Sequence, residues 1–377
     1  MSSTPESEET HDVVIVGGGA AGVGVAVALQ HAGIENLVVL ESRTVGASFA
    51  SWPAETRFIT PSFPTNSMGM LDLNSIALGT SPAYSLEVEH PTGEEYASHL
   101  REVAEFFEVP VRENTAVARI TKLGRDFLLD AGGDVLRAKH VVWAAGEFQY
   151  PRLNGFAGSE LCRHTATIPS YGDLDGDDFV VVGGYESGID AAYHLACRKK
   201  RVRLFDSGCP WKEEGSDPSV ALSTYSLERM REERFVERVE LFPNTRIESV
   251  THVAEGYEVV AEDGQWFQAG VPPLLAGGFA GSHTLVADFF ERRDDDGLPL
   301  LSEQDESTIV PGIFLCGPTV RHGNHIFCFI YKYRQRFAVV AKTIATSLGL
   351  PAENLELYRA WGMYLDDLSC CGEECVC

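Results

Sequence analysis

The first unbroken apolar run, Val13-Val14-Ile15-Val16, begins after His11 and Asp12 and stops at three glycines. A short apolar run bounded by turn residues predicts a buried strand. Val23 to His31 then has helix-forming composition, and Asn36 to Glu41 reads as a second strand. Thr60 to Ser85 is rich in Pro, Ser, Gly and Asn, which predicts an irregular segment lying over a ligand. His90 to Glu95 opens a helix, with Tyr96, Leu100, Val103, Ala104 and Phe107 at helical spacing.

Alternating stretches at Thr115 to Leu123 and Asp126 to Leu129 predict antiparallel strands, and His140 to Ala145 predicts a buried strand ending at Gly146. Glu147 to Gly155 reads as a crossover. At Phe179 the pattern starts again: Phe179 to Val182, Gly183 to Gly188, a helix through Leu195 and a strand from Val202 to Phe205. Gly312 to Cys316 is a last apolar strand, Asn324 to Leu348 is read as largely helical, and Leu365 onward as a tail. The expected fold class is therefore α/β, with two Rossmann-like, three-layer dinucleotide-binding domains, the second inserted in the first, and a short C-terminal tail. The expected boundaries are 1–150 and 286–350 for the first domain, 151–285 for the second and 351–377 for the tail.

Composition narrows the class of partner. The 377 residues carry 55 acidic against 30 basic side chains, a net charge of -25 that repels phosphodiester backbones and anionic lipid surfaces. Neither nucleic acid nor membrane is expected as a partner. The acidic excess with little lysine beside arginine is read as a sign of life at high salt, with a GC-rich genome as the alternative account of the Arg-over-Lys bias. Residues 1 to 10 are polar and acidic, and no apolar run reaches transmembrane length, so a cytoplasmic protein is expected. The sequence is compatible with a homodimer without requiring one.

The glycines supply the strongest chemical signal. Gly17 allows the tight turn, Gly19 lets backbone approach a pyrophosphate, and Gly22 lets helix and strand pack closely, with Gly18 and Ala21 completing the loop. Glu41 lies 24 residues after Gly17, at the end of the second strand, where a carboxylate accepts bonds from ribose hydroxyls. Strand, glycine triplet, helix, strand and acid together predict an FAD site. Ser42 and Val117 are further expected cofactor contacts.

Val13 to Gly22 with Glu41, Trp143-Ala144-Ala145-Gly146 and Gly312 to Gly317 resemble the three FAD landmarks of two-dinucleotide-binding-domain flavoproteins. Ser51-Trp52 through Thr60-Pro61 and the Pro91 to Tyr96 helix start resemble flavin-containing monooxygenases, while domain order and size resemble thioredoxin reductase and bacillithiol disulfide reductase. The resemblance implies an FAD-dependent oxidoreductase, with Trp52, Ala145, Gly146 and Gly317 near the flavin. The departures are specific. Thioredoxin reductases have a Cys-x-x-Cys pair in the nucleotide domain and this chain has none; bacillithiol disulfide reductases place a cysteine where this chain has Ala21. Gly317-Pro318 replaces the usual Gly-Asp.

The second motif repeats Gly183, Gly184 and Gly188 with Glu186 and Ser187, but Tyr185 stands where Gly19 stands in the first, which obstructs close approach of a pyrophosphate. Asp206 ends the next strand 23 residues after Gly183; where a nicotinamide binds, that acid favours NADH over NADPH. The alternative is a domain kept for packing, with electrons arriving from a thiol or another protein.

Nine cysteines, four of them Cys370, Cys371, Cys375 and Cys377, point to redox or metal chemistry rather than a secreted disulfide framework. The Leu-Ser-Cys-Cys run ending at Cys371 resembles the tail of mercuric reductase. It implies a dithiol that carries electrons out to a disulfide, a small thiol or a soft metal; a zinc-binding tail and an inert one are the alternatives. Cys316 and Cys328 read as packing residues. His322 and His325 are candidates for a proton donor over the flavin. The leading expectation is an FAD-dependent reductase acting on a thiol, disulfide, soft metal or protein thiol partner. A flavin-containing monooxygenase, a thiol oxidase needing no nicotinamide, and a metal-binding sensor are the others.

Overall fold

The computed structural model describes residues 9–66, 70–215 and 217–369. The first apolar run forms the strand Glu9–Val16, central in a seven-stranded sheet with Leu37–Leu40 and Val111–Arg112 on one side. On its other side lies Asp134–Trp143, and both neighbours run parallel to it. The strand Asp134–Trp143 changes partner along its length: residues 134–138 pair antiparallel with Asp126–Ala131, while 141–143 pair parallel with Ile313–Leu315. That second pairing carries the chain back into the first sheet after the inserted unit. The insertion has its own five-stranded sheet, centred on Asp178–Val182, which lies between Arg201–Phe205 and Leu274–Leu275, and a three-stranded antiparallel sheet over residues 247–269. The α/β class with one nucleotide-binding unit inserted in another is the observed architecture.

The helix after the first glycines spans Ala20–His31 and is buried along nearly its whole length, pressed between the sheet and the helix Phe337–Ser347. Close approach depends on Gly24, where a Cβ would come within 2.2 Å of the Phe337 ring. The helix Gly93–Phe106 starts at a capping box: Thr92 accepts from the Glu95 amide and Glu95 accepts from the Thr92 amide at 2.7 Å. Tyr96, Leu100, Val103 and Ala104 face the core as the spacing predicts, and Phe107 caps the end half-buried.

The described residues of 60–85 contain no strand, and polar bonds hold them in place. Asn74 donates to Thr60 O and to Ser62 Oγ, Tyr96 donates to Asn74 O at 2.6 Å, and Arg334 donates to Ser75 O at 2.8 Å. Helix does not start at Asn324 as composition suggests. A hairpin of Arg321–His322 and His325–Ile326 turns at Gly323 (φ +53°), and helical backbone begins at Ile330. Beyond 351, Leu355, Tyr358 and Met363 are buried in the first core, and Arg336 donates to Leu365 O. Among the described residues, no helix is long and apolar enough to cross a membrane.

Candidate active site

The first glycine turn is held by contacts that leave its outer face free. Gly17 has φ +110°, and a Cβ there would lie 2.5 Å from Ala144 O; a Cβ on Gly22 would lie 1.8 Å from Gly17 O. Both positions are closed to any larger residue. A Cβ on Gly19, the residue that caps the helix, would meet nothing within 4 Å, and no side chain caps that helix end. The unpaired first-turn amides and the positive end of the helix dipole therefore face open space, the environment a pyrophosphate requires. Glu41 is anchored beside them. It accepts from Gly18 N–H at 2.6 Å and Arg43 N–H at 2.8 Å, and Ser42 Oγ donates to it at 3.1 Å.

In front of this cradle lies a cavity of about 450 Å³. Of the residues expected at the cofactor, Gly17, Gly19, Ala21, Glu41, Trp52, Ala145 and Gly146 line it. Gly317 sits behind the lining, where a Cβ would lie 3.2 Å from that of Ala21, and Pro318 supplies the surface instead. Gly18, Gly22 and Ser42 hold the cradle from behind, and Val117 is half-buried outside the lining. Trp52 packs with its ring centroid 5.0 Å from that of Phe58, and Phe148 lies 5.4 Å from Phe279, so two walls are aromatic. Flat aromatic walls beside an open pyrophosphate cradle fit an FAD molecule, which when bound takes up and releases pairs of electrons.

The structure places the two candidate histidines off the cavity lining. His322 Nε2 lies 2.5 Å from Asp305 Oδ1, and Arg336 grips the same fully buried carboxylate through Nε at 3.0 Å and Nη2 at 2.9 Å. The hairpin at Gly323 turns His322 toward Asp305, and neither His322 nor His325 lines the cavity. The four tail cysteines Cys370, Cys371, Cys375 and Cys377 lie outside the described residues. Among the described residues no cluster of three or more His, Cys, Asp or Glu could hold a metal.

Sequence reasoning missed three polar groups on the cavity wall. Glu147 follows the Gly146 landmark directly; burial pushes its carboxyl above the usual range, against the pull of Arg321 and Arg152. Tyr333 is buried with its ring on the cavity. Cys328 contacts Ser219 Oγ at 3.0 Å, and burial raises its thiol pKa despite the nearby Ser219 and Lys332. Adjacency to Gly146 was the one available signal, and it pointed to Glu147 alone.

The cavity also spans the join between the two units. Thr56 Oγ1 donates to Asp190 Oδ2 at 2.6 Å, and Arg229 donates to Asp190 Oδ1 at 2.8 Å. Burial would raise the Asp190 carboxyl, but His194 and Arg229 outweigh it and hold it at about 2. The second glycine turn copies the first in outline. Gly183 has φ +102° with a Cβ position 2.4 Å from Ala276 O, Gly188 would clash with Gly183 O at 1.8 Å, and Gly184 N–H donates to Asp206 at 2.7 Å. Glu186 and Ser187 reach the cavity, while Gly183, Gly184, Gly188 and Asp206 do not.

Comparison with known proteins agrees with this architecture. The family described as pyridine nucleotide-disulphide oxidoreductase matches residues 14–317. The uncharacterized oxidoreductase CzcO of Bacillus velezensis is 26% identical over 205 residues, 51% of this chain and 53% of that protein, so the chain spans about half the length of such relatives. Bacilliredoxin reductase Bdr of Bacillus subtilis is 23% identical over 88% of this chain and 97% of its own. The structure of bacillithiol disulfide reductase Bdr from Staphylococcus aureus superposes with a TM-score of 0.73 at 16% identity, covering 90% of this chain and 99% of that one. A flavin-containing monooxygenase from Stenotrophomonas maltophilia gives 0.69 at 15% identity over 90% and 99% of the two chains. At such identities the superpositions speak for the fold.

Proposed function

We propose that this chain, a member of the pyridine nucleotide-disulphide oxidoreductase family, is an FAD-dependent oxidoreductase that exchanges an electron pair between FAD and a disulfide, a low-molecular-weight thiol or a soft-metal substrate. The observation that carries this reading is the open face at Gly19 leading into a cavity that Glu147 and Cys328 also line. Gly17, Gly19 and Glu41 hold the dinucleotide, and Trp52 and Phe148 exclude water from its reactive end.

Cys370 and Cys371 serve as the exchanging dithiol. Reduction of a substrate disulfide breaks its S–S bond, releases two thiols and leaves a disulfide within the tail, which reduced FAD, when bound, would return to the dithiol by supplying two electrons and two protons. Glu147, with its raised pKa, is the group suited to hold the proton in transit. Where a nicotinamide is the donor, Asp206 favours NADH, since its carboxylate repels a 2′-phosphate.

Thiol oxidation is the second reading: two thiols would become a disulfide while dioxygen, taking the two electrons and two protons that bound FAD would relay, would become hydrogen peroxide. Tyr185 in the second cradle favours it. The test is turnover of a small disulfide and a small dithiol by the full chain and by a chain ending at Ser369. Loss of turnover with FAD content unchanged supports the tail dithiol, and equal turnover by both removes it from the reaction. Peroxide formation from the dithiol in air selects the second reading.

A further inference from the structure

The two glycine turns in this chain are internal controls for one another. Their caps have nearly the same backbone, φ -85° and ψ -170° at Gly19 against φ -86° and ψ -164° at Tyr185. What stands in front of them differs completely. Before Gly19 there is open space, whereas the Tyr185 phenol reaches Pro218 O and Ala221 O, both at 2.7 Å. The residue preceding each cap differs in the same way. A Cβ on Gly18 would meet the Glu41 side chain at 3.0 Å, but one on Gly184 would meet the Trp211 ring at 2.3 Å, so an indole lies directly on the second turn beside Asp206.

Residues 217–223 are fastened across this turn from both sides. On the inserted unit, Ser223 N–H donates to Glu186 Oε1 at 2.6 Å and Ser226 Oγ donates to Glu186 Oε2 at 2.5 Å. From the flavin side, the buried Lys332 ammonium donates to Asp217 at 2.5 Å and to Ser219 Oγ at 2.8 Å, and Cys328 contacts Ser219. Lifting the segment would strip a buried ammonium of its partners, which is strongly unfavourable. The Asp206 carboxylate accepts from the Gly184 and Gly208 amides, at 2.7 and 2.8 Å, much as Glu41 accepts from Gly18 and Arg43, so the acid does not distinguish the two turns and the difference lies in what covers them.

We infer that the second cradle does not take a nicotinamide dinucleotide: Trp211 and the segment 217–223 fill it from within, and Tyr185 and Trp211 are the residues that set this specificity. A coenzyme pyrophosphate needs backbone within hydrogen-bonding distance at the cap, and here a phenol and its strap stand between. The conserved outline of the turn is no argument for a ligand, because Gly183 and Gly188 are required by contacts with Ala276 O and Gly183 O alone. Without a nicotinamide the electrons reaching FAD would come from substrate thiols, so this inference rests on the thiol-oxidation reading above and favours it over disulfide reduction, whichever thiol is the substrate.

The test is calorimetric titration of the FAD-loaded chain with NADH and with NADPH, beside the double variant Tyr185→Gly, Trp211→Ala. The expected result is no saturable heat for the natural chain up to about 1 mM coenzyme, and at least about tenfold tighter binding of NADH by the double variant. FAD content and melting temperature confirm that the variant is folded. Saturable micromolar binding by the natural chain overturns the inference. A folded double variant that still binds nothing overturns the assignment to Tyr185 and Trp211. Because the readout is binding heat, failure here leaves the thiol turnover assay untouched, and failure of that assay leaves this one readable.

Discussion

The backbone N–H of Gly184 donates to Asp206 Oδ2 at 2.7 Å, tying the second glycine turn to the end of the following strand. Glu41 does the same for Gly18 at 2.6 Å. The acid that ends the second strand of each unit therefore has a task within the fold before any ribose arrives. Reading it as a ligand contact alone overstates what its presence implies.

Asp206→Ala removes the acceptor of two amides, from Gly184 and Gly208. The expected loss is about 1–3 kcal/mol of stability, measured by urea denaturation, with FAD content unchanged. Loss of FAD from a folded Asp206→Ala chain would contradict the separation of the two cradles.

Two glycines of the first turn should respond oppositely. Gly19→Tyr places a side chain in open space, so the chain folds but emerges from gel filtration without FAD. Gly22→Ala puts a Cβ 1.8 Å from Gly17 O, and the expected outcome is loss of folded protein. A flavin-loaded Gly19→Tyr variant would place the pyrophosphate elsewhere.

His99 is 3% exposed, donates to or accepts from Ser85 Oγ at 2.8 Å, and burial lowers its pKa from 6.5 to about 4. Between those values the unfolded chain binds a proton that the folded chain does not, so stability falls as pH falls. The difference amounts to about 3 kcal/mol by pH 4. Denaturation of the natural chain and of His99→Gln at pH 7 and near pH 4 isolates this contribution, since the variant lacks it.

Arg229 and Asp190 form a buried ion pair at 2.8 Å, and Thr56 of the first unit bonds the same carboxylate. Arg229→Leu leaves Asp190 without its guanidinium, at an expected cost of about 3–5 kcal/mol in chemical denaturation. A near-neutral result would mean that His194, 3.3 Å away, satisfies the charge on its own.

Elements whose cause is local were legible from the chain. The apolar run before Gly17 became a central strand, Thr92 and Glu95 formed their capping box, and the glycine spacing described both turns. Asn324 to Leu348 was read as helix because composition averages over a window, whereas a single glycine at 323 made a hairpin first. His322 looked like a flavin contact from its nearness to Gly317 in sequence. Asp305 and Arg336 hold it elsewhere, and nothing in the order of residues announces that triad.

The α/β class, the nested pair of units and the open glycine turn at Gly17 follow from residues close together in the chain, because steric rules for a tight turn act within a few residues and leave a fixed spacing of glycines. What faces each turn is set by packing between elements far apart in the chain. Thr56 meets Asp190 across 134 positions, and Lys332 meets Asp217 across 115. Contacts of that span depend on how whole elements cross, so the same glycine pattern yields an open cradle at Gly19 and one filled by Trp211 and residues 217–223 at Tyr185.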